Sequence, residues 1–311
     1  METELTHNLS TPSGNKIVIV PLDRLAGIRR DLTDLASANK LNEFQTSIIN
    51  NLYKLDPPEL GFKPMSIILA ASPSPAQVQL AFNWKGKVVK AAIPAAYVDS
   101  SIAPERIKQD LLSIFAPAGY NVKYAADLPH KLLAVRSGLG VYGRNNICYV
   151  EGMGSFLNLV PFYSDAPPAD HDWYDIRMLK QCTNCTICLK NCPTGAISGD
   201  RFLIDNKRCL THFNEAGRDA HFPDWIPLSV HNALYGCNLC QLECPVNKPY
   251  LGNTIELAAF DAAETEMLYA GKPFKSFPGN LQQKISRLNM YDLLDALPRN
   301  LGVLFKQLDS D

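Results

Sequence analysis

The cysteines constrain this chain more than any other feature, because eight of its nine lie between Cys182 and Cys244. The first four follow the spacing C-x₂-C-x₂-C-x₃-C-P. The eight positions are Cys182, Cys185, Cys188, Cys192, Cys209, Cys237, Cys240 and Cys244. This spacing is typical of proteins with two [4Fe–4S] clusters, in which the fourth cysteine of the run ligates the other cluster. Metal ligation, more than a hydrophobic core, then dictates the loops of this stretch.

The cysteine count fits two clusters, since two [4Fe–4S] clusters need eight thiolates. The crossed pattern assigns Cys182, Cys185, Cys188 and Cys244 to one cluster, and Cys192, Cys209, Cys237 and Cys240 to the other. Disulfides would require an oxidising compartment, and no signal peptide is seen at Met1. Zinc sites use well-separated C-x₂-C pairs. The remaining Cys148 lies in an apolar stretch and is predicted to be a buried, inert thiol.

Composition and charge limit the class of protein. The chain has 311 residues, 46% of them hydrophobic, with a net charge of −1. No apolar stretch approaches the ~20 residues of a membrane span, so we expect a soluble cytoplasmic protein. Balanced charge argues against a general nucleic-acid coat but allows a local basic patch.

Alternating strand and helix patterns predict an α/β domain over residues 15–170, after a flexible N-terminus at 1–14. Strands are expected at 16–20, 66–71, 88–93 and 120–124, helices within 22–53 and at 105–115 and 129–135, and a turn at 82–87. A ferredoxin-like module should occupy 178–250. Residues 251–311 are predicted to form a short helical segment, with helices at 255–270, 281–288 and 290–297.

A glycine-rich loop, Gly138-Leu-Gly140-Val-Tyr-Gly143, matches G-x-G-x-x-G. A dinucleotide-binding loop must follow a strand and open a helix, whereas this one follows a predicted helix. A nicotinamide site is therefore disfavoured. The glycines still indicate that the backbone passes close to something, either a large flat cofactor or another loop.

Several segments in the right order resemble the epoxyqueuosine reductase family. They cover roughly residues 120–300 and comprise the glycine loop (136–145), 154–159, the first cysteine run (182–197), Arg208–Leu210, 235–248 and 271–279. The first hundred residues match poorly. The resemblance implies a cobalamin-binding, reductase-like N-terminal domain.

The family uses cobalamin and two [4Fe–4S] clusters to reduce the epoxide of epoxyqueuosine in tRNA, and related folds carry out reductive dehalogenation. The resemblance therefore implies an oxidoreductase, with tRNA as a partner and reduced ferredoxin or flavodoxin as the electron donor. It implies cofactor-binding roles for Gly138, Gly140, Gly143, Asn145 and Ser155. The substrate, the donor and the oligomeric state stay open.

Two departures from the family concern its catalytic residue and the segment that helps to form its cofactor and substrate pocket. The family has a catalytic aspartate, a proton donor, before its glycine loop. Counted back from Gly138 without gaps, its position falls on Tyr124. It falls on Asp127 only if the intervening helix is three residues shorter. A tyrosine, with a pKa near ~10, stays protonated unaided, whereas an aspartate needs burial. Asp127 could instead cap a helix starting at Leu128 or Pro129. Residues 95–100 replace the family's R-x-x-D-Y-H segment.

Two other classes of function remain open: an electron-transfer protein without cobalamin, and a tRNA-binding protein without turnover. Lys272, Lys275, Lys284 and Arg287 form a basic stretch that could contact tRNA phosphates or form a solvated helix face. His130 is predicted to be a surface helix residue, and His212 to be structural.

Overall fold

The computed structural model describes residues 9–11, 13–38, 41–168, 172–199, 203–252 and 254–308. Within these ranges no helix combines the length and the apolar character needed to cross a bilayer.

Strands are distributed along most of the chain. They are β1 (Leu9–Ser10), β2 (Lys16–Pro21), β3 (Ser66–Pro73), β4 (Gln77–Trp84), β5 (Lys87–Pro94), β6 (Val122–Tyr124), β7 (Val141–Tyr142), β8 (Cys148–Tyr149), β9 (Leu157–Ser164) and β10 (Ile255–Phe260).

Helices fill much of the rest. The α-helices are α1 (Leu25–Ser37), α2 (Glu43–Ser47), α3 (Ala95–Asp99), α4 (Ala103–Phe115), α5 (His130–Arg136), α6 (Ile187–Lys190), α7 (Leu210–Glu215), α8 (Leu239–Leu242), α9 (Ala262–Tyr269), α10 (Gly279–Arg287) and α11 (Leu297–Leu308). Short 3₁₀ turns lie at Leu22–Arg24, Ala116–Ala118, Lys180–Thr183, Leu228–Val230, Pro245–Tyr250, Phe274–Ser276 and Tyr291–Leu293, and a π-helical turn at Ile48–Leu52.

The chain forms two compact units. Unit 1 contains the described residues up to Ser74 together with Ile102–Cys185, and unit 2 contains Pro75–Ser101 together with the described residues from Thr186 onward. The contiguous α/β domain predicted over 15–170 differs from this division, because residues 75–101 fold with the C-terminal part. Part of the N-terminus predicted to be flexible, 1–14, lies outside the described residues, and Leu9–Ser10 of it pairs with β2.

Unit 1 is built on a sheet with the strand order β1-β2-β3-β9-β6, in which neighbours are antiparallel. Alternate residues of β2 face opposite sides: Val18 and Val20 pack with α1 and α5, whereas Ile17 and Ile19 pack with α4. Both faces are covered, so β2 is a continuous apolar run rather than an alternating one. The mixed α/β architecture predicted for this part is confirmed, and β6 ends at Tyr124.

In unit 2, β10, β4 and β5 form a sheet in that order, with β10 parallel to β4. Its core is made with α9, α10 and α11, and includes Phe82 stacked on Phe260 with ring centroids 4.8 Å apart. The turn predicted at 82–87 is shorter than expected, since β4 continues to Trp84. Lys85 and Gly86 alone form the loop, both with positive φ (49° and 78°), as a two-residue hairpin requires.

The helix predicted at 255–270 is wrong in its first half. Ile255–Phe260 is strand β10, and helix α9 begins only after Asp261, whose side chain caps it. Partner strand β4 lies far away in sequence, so its pairing left no local signal. The helix predicted at 290–297 is likewise a 3₁₀ turn, Tyr291–Leu293, and the longer helix α11 follows it. The C-terminal segment is therefore not purely helical.

Candidate iron–sulfur and active site

Short helical elements position the cysteines. In unit 1, Cys182 lies in the 3₁₀ turn Lys180–Thr183, and Cys185 follows it. The other six lie in unit 2: Cys188 within α6, Cys192 after it, Cys209 at the N-cap of α7, Cys237 just before α8, Cys240 within α8 and Cys244 before the turn Pro245–Tyr250. α6 packs against α8, and each carries the later cysteine of a C-x₂-C pair.

Hydrogen-bond donors reach several of the sulfur atoms. Three of these contacts are Ala196 N–H to Cys192 Sγ (3.2 Å), Arg144 N–H to Cys182 Sγ (3.4 Å) and Asn232 Nδ2 to Cys237 Sγ (3.4 Å). Donors directed at sulfur stabilise the thiolate form and tune the potential of iron–sulfur clusters. The chemistry of this donor set therefore fits cluster ligation.

Three thiols of the second predicted cluster lie close enough to influence one another. Burial raises the pKa of Cys209, and the nearby charge of Cys192 raises it further, against hydrogen bonds from Thr211 and His212. Burial also raises the pKa of Cys237, and the nearby charges of Cys209 and Cys192 raise it further. A ligating metal deprotonates such thiols outright. The contact of His212 with Cys209 agrees with the structural role predicted for it.

Single-ion sites differ from this arrangement. Among the described residues, no three His, Cys, Asp or Glu side chains come together in a way that suits one metal ion. The thiolates of a [4Fe–4S] cluster each bind a different iron. Cys148 is separate from the eight: it is buried, and burial raises the pKa of its thiol to about 12. The predicted burial of this thiol is confirmed.

The glycine loop packs tightly against the protein itself. A Cβ at Gly138 would lie 2.5 Å from the Tyr174 ring, one at Gly140 2.6 Å from Cys148 Sγ, and one at Gly143 2.5 Å from the Tyr149 ring. Each distance is below normal contact, so these glycines are required for loop-on-loop packing whether or not a ligand also approaches. Of the two explanations that the sequence left open, the packing one has direct structural support.

The two other predicted cofactor residues are also held by the protein. Asn145 is buried; its Nδ2 donates to Tyr149 Oη (3.0 Å), and its Oδ1 accepts the Ile147 N–H (3.3 Å). Ser155 is buried as well. Cofactor contact by these residues stays a prediction, and each already has a structural role or a buried position.

The two candidate proton donors lie three residues apart, at the end of β6 and in the loop that follows it. Tyr124 ends β6, has 37% of its surface exposed and lies 5.8 Å from the Phe162 ring. Burial, and then the charge of Asp127, raises its pKa, so the phenol keeps its proton. Asp127 is exposed, and its carbonyl accepts the Lys54 N–H (3.0 Å). Because α5 begins at His130 with Pro129 as its N-cap, Asp127 does not cap that helix.

Other groups lie near the same loop, and of these the sequence indicated only His130. His130 Nε2 lies 3.2 Å from the Ala126 carbonyl, and burial lowers the pKa of the ring. Its contact with the loop goes beyond the surface role expected of it. Lys131 Nζ donates to the Asn146 carbonyl (3.1 Å) and so ties α5 to the glycine loop. Burial, and then the charge of Asp127, raises the pKa of Tyr163 to about 12.

In unit 2, the segment that replaces the family's R-x-x-D-Y-H motif approaches the cysteines. Tyr97 Oη donates to Glu215, and the ring packs on Gly236, where a Cβ would lie 2.8 Å from it. The charges of Cys209 and Cys237 help to raise the pKa of Tyr97, after burial and Glu215. No local pattern in the sequence indicated this contact.

The basic stretch is not uniformly available to a ligand. Lys284 donates to Glu264 (2.5 Å) and to the Ala259 carbonyl (2.7 Å), and so anchors α10 to the strand–helix junction. Lys272, Lys275 and Arg287 are exposed. Lys284 therefore has a structural role that neither the phosphate-contact nor the solvated-face interpretation foresaw.

Comparison with known proteins agrees with the cysteine chemistry. Residues 181–247 match the family described as a 4Fe-4S double cluster binding domain. The chain is 32% identical over 127 residues to an epoxyqueuosine reductase of Staphylococcus aureus, which is 39% of this chain and 30% of that protein. It is 30% identical over 155 residues to the Bacillus subtilis enzyme, covering 46% and 37% respectively. The matches thus span roughly a third of these relatives.

Solved structures share the fold over most of the chain. The epoxyqueuosine reductase of Streptococcus thermophilus superposes with a TM-score of 0.67 at 19% identity, covering 94% of this chain and 77% of that one. An epoxyqueuosine reductase with a tRNA-Tyr epoxyqueuosine-modified stem loop gives 0.59 at 20% identity, covering 95% and 77%. The predicted resemblance to epoxyqueuosine reductases is confirmed.

Proposed function

We propose that this chain is an iron–sulfur oxidoreductase of the epoxyqueuosine reductase type. It would pass electrons through two [4Fe–4S] clusters to cobalamin, for the reduction of epoxyqueuosine in tRNA or of another electrophile. One observation carries the proposal: eight cysteines with cluster spacing and donors directed at their sulfurs lie in a chain whose curated relatives are epoxyqueuosine reductases.

The chain's own residues would hold the clusters and supply protons. Cobalamin, when bound, would supply a strongly reducing metal centre, which is the hard part of the chemistry. Following the family resemblance, the glycine loop would hold it, with backbone near Gly138, Gly140 and Gly143. The packing of this loop on Tyr174 and Tyr149 would fix its shape in advance.

Removing an epoxide oxygen takes two electrons and two protons, because the oxygen leaves as water. Tyr124 is our proposed donor of one proton. Its phenol is protonated at neutral pH, since burial and the charge of Asp127 raise its pKa. The side chain also remains partly exposed, so that a substrate can reach it. Asp127 would assist through its charge, or act as the donor itself if the alignment requires the gap.

A second function is favoured by one specific observation. The side-chain positions of the predicted cofactor glycines are filled by the protein, and Asn145 bonds internally. A ferredoxin-like electron-transfer protein without cobalamin would need the same packing. In that case the clusters would serve another protein, and Tyr124 would have no role in turnover.

The two functions differ in what the purified protein binds. Anaerobically purified, cluster-loaded protein should be mixed with cobalamin and separated by gel filtration. A corrin spectrum that co-elutes with the broad cluster absorption would support the reductase. Cluster absorption alone would favour the electron-transfer protein.

Single-turnover reduction then tests the substrate. Chemically reduced protein should be offered epoxyqueuosine-containing tRNA first and small electrophiles second. Product with tRNA supports the tRNA substrate, and product with small electrophiles only supports a different substrate. Binding of tRNA without product on any substrate would indicate a binding protein instead.

A further inference from the structure

One arginine connects the glycine loop to the first cysteine run. Arg144 follows Gly143 in the loop between β7 and β8. Its backbone N–H donates to Cys182 Sγ (3.4 Å), its Nε donates to the Cys185 carbonyl (3.0 Å), and a terminal guanidinium nitrogen donates to the Cys182 carbonyl (2.6 Å). A single half-buried residue thus holds both cysteines of unit 1.

Backbone contacts support the same junction. The Tyr142 N–H donates to the Arg177 carbonyl (3.0 Å), and the Leu179 N–H donates to the Tyr142 carbonyl (2.8 Å). β7 therefore runs alongside the segment that leads into Cys182, with Tyr142 bridged in parallel to Met178. The position of Arg144 is fixed by the ladder before it as well as by its own side chain.

We propose that Arg144 is a positioning residue that links the glycine loop to the cluster held by Cys182 and Cys185, and that its charge raises the reduction potential of that cluster. The proposal rests on the cluster assignment made above. A positive charge bonded to the backbone carbonyls of two cluster cysteines favours the reduced, more negative cluster, since net charge and hydrogen bonds to sulfur set such potentials. Arginine keeps this charge throughout the working pH range.

The charge and the geometry of Arg144 can be separated by substitution. Arg144→Gln removes the charge, whereas Arg144→Lys keeps it and loses the planar fork that reaches two carbonyls. The backbone N–H to Cys182 remains in both variants. Arg177→Gln is the matched control, because it also removes one positive charge. Arg177 is exposed, lies five positions before Cys182 and stacks on Tyr174.

The measurement is an anaerobic redox titration of the full chain with both clusters, followed by electron paramagnetic resonance, with iron analysis of each variant. In Arg144→Gln, one cluster should become harder to reduce by about tenfold in its equilibrium constant, which is about 59 mV for one electron. The other cluster should keep its potential, and Arg144→Lys and Arg177→Gln should resemble the parent.

Loss of one cluster's iron from Arg144→Gln, with full iron in Arg177→Gln, would also support the positioning role. Unchanged potentials in Arg144→Gln, or equal shifts of both clusters, would overturn the proposal. These potentials do not depend on substrate or cobalamin, so failure of the reductase function leaves the test intact. A parent protein without clusters would overturn the cluster assignment and this proposal together.

Discussion

The packing role of Gly138 can be tested against another glycine of this chain. Gly138 and Gly119 both adopt left-handed backbone, with φ of 76° and 82°. An L-residue in that region costs ~1–2 kcal/mol. At Gly119 an added Cβ would meet nothing within 4 Å, whereas at Gly138 it would lie 2.5 and 2.7 Å from two carbons of the Tyr174 ring.

The two substitutions should therefore differ in cost. Gly119→Ala should lower the free energy of unfolding by the backbone strain alone, ~1–2 kcal/mol. Gly138→Ala should add ~1–3 kcal/mol for overpacking against the ring, giving ~2–5 kcal/mol in all. Urea unfolding of cluster-loaded protein under argon, followed by circular dichroism, measures both.

A double-mutant cycle identifies the ring as the cause. Tyr174→Ala removes the atoms that the new Cβ would meet, so the pair Gly138→Ala and Tyr174→Ala should cost less than the sum of the single changes by ~1–3 kcal/mol. Strict additivity, or a cost for Gly138→Ala no greater than for Gly119→Ala, would refute this reasoning. Loss of cobalamin binding at unchanged stability would show instead that a ligand requires the glycine.

Iron analysis should give about eight iron atoms per chain, and serine at any one of the eight cysteines should remove or convert one cluster; about four atoms in the reconstituted parent would contradict the two-cluster assignment. Tyr124→Phe should slow single-turnover reduction by ~10²–10⁴-fold with iron retained, and Asp127→Asn should cost less; the reverse order would make Asp127 the donor. Gly236→Ala should destabilise unit 2 by ~2–5 kcal/mol, because the new Cβ meets Tyr97 and φ is 66°; an equal loss in a Tyr97→Ala background would argue against that contact. Burial, then Arg299, lowers the pKa of His231 to about 4. The folded protein thus keeps this ring neutral, and stability should fall by up to ~3 kcal/mol as pH drops from about 6.5 to about 4. Unfolding curves should show His231→Asn losing that part of the acid sensitivity.

Local sequence patterns predicted several strands and helices of the fold. The strand at Lys16–Pro21 and the helix at Ala103–Phe115 were predicted within a few residues, because one is a continuous β-branched run and the other shows an apolar face with Pro104 in its first turn. The cluster cysteines could also be predicted, since their spacing along the chain is itself the signal.

Contacts between segments that are distant in the sequence could not be predicted. Ile255–Phe260 has the pattern of a helix, and only the folded chain shows it as a strand paired in parallel with β4. Residues 75–101 likewise belong to unit 2, where β4 and β5 pack with the C-terminal helices. The sequence showed that the glycines admit a close neighbour, but only the folded chain shows that Tyr174, Cys148 and Tyr149 are those neighbours.

By itself the sequence indicated the ligand chemistry, several of the strands and helices, and the family resemblance, because these depend on residue type and on spacing along the chain. The tertiary structure decided which side chains meet the cysteines. Arg144 contacts Cys182 across 38 positions, and Tyr97 contacts Glu215 across 118. Such pairs depend on how whole sheets and helices bury their apolar faces, which is a property of the entire chain rather than of any one stretch.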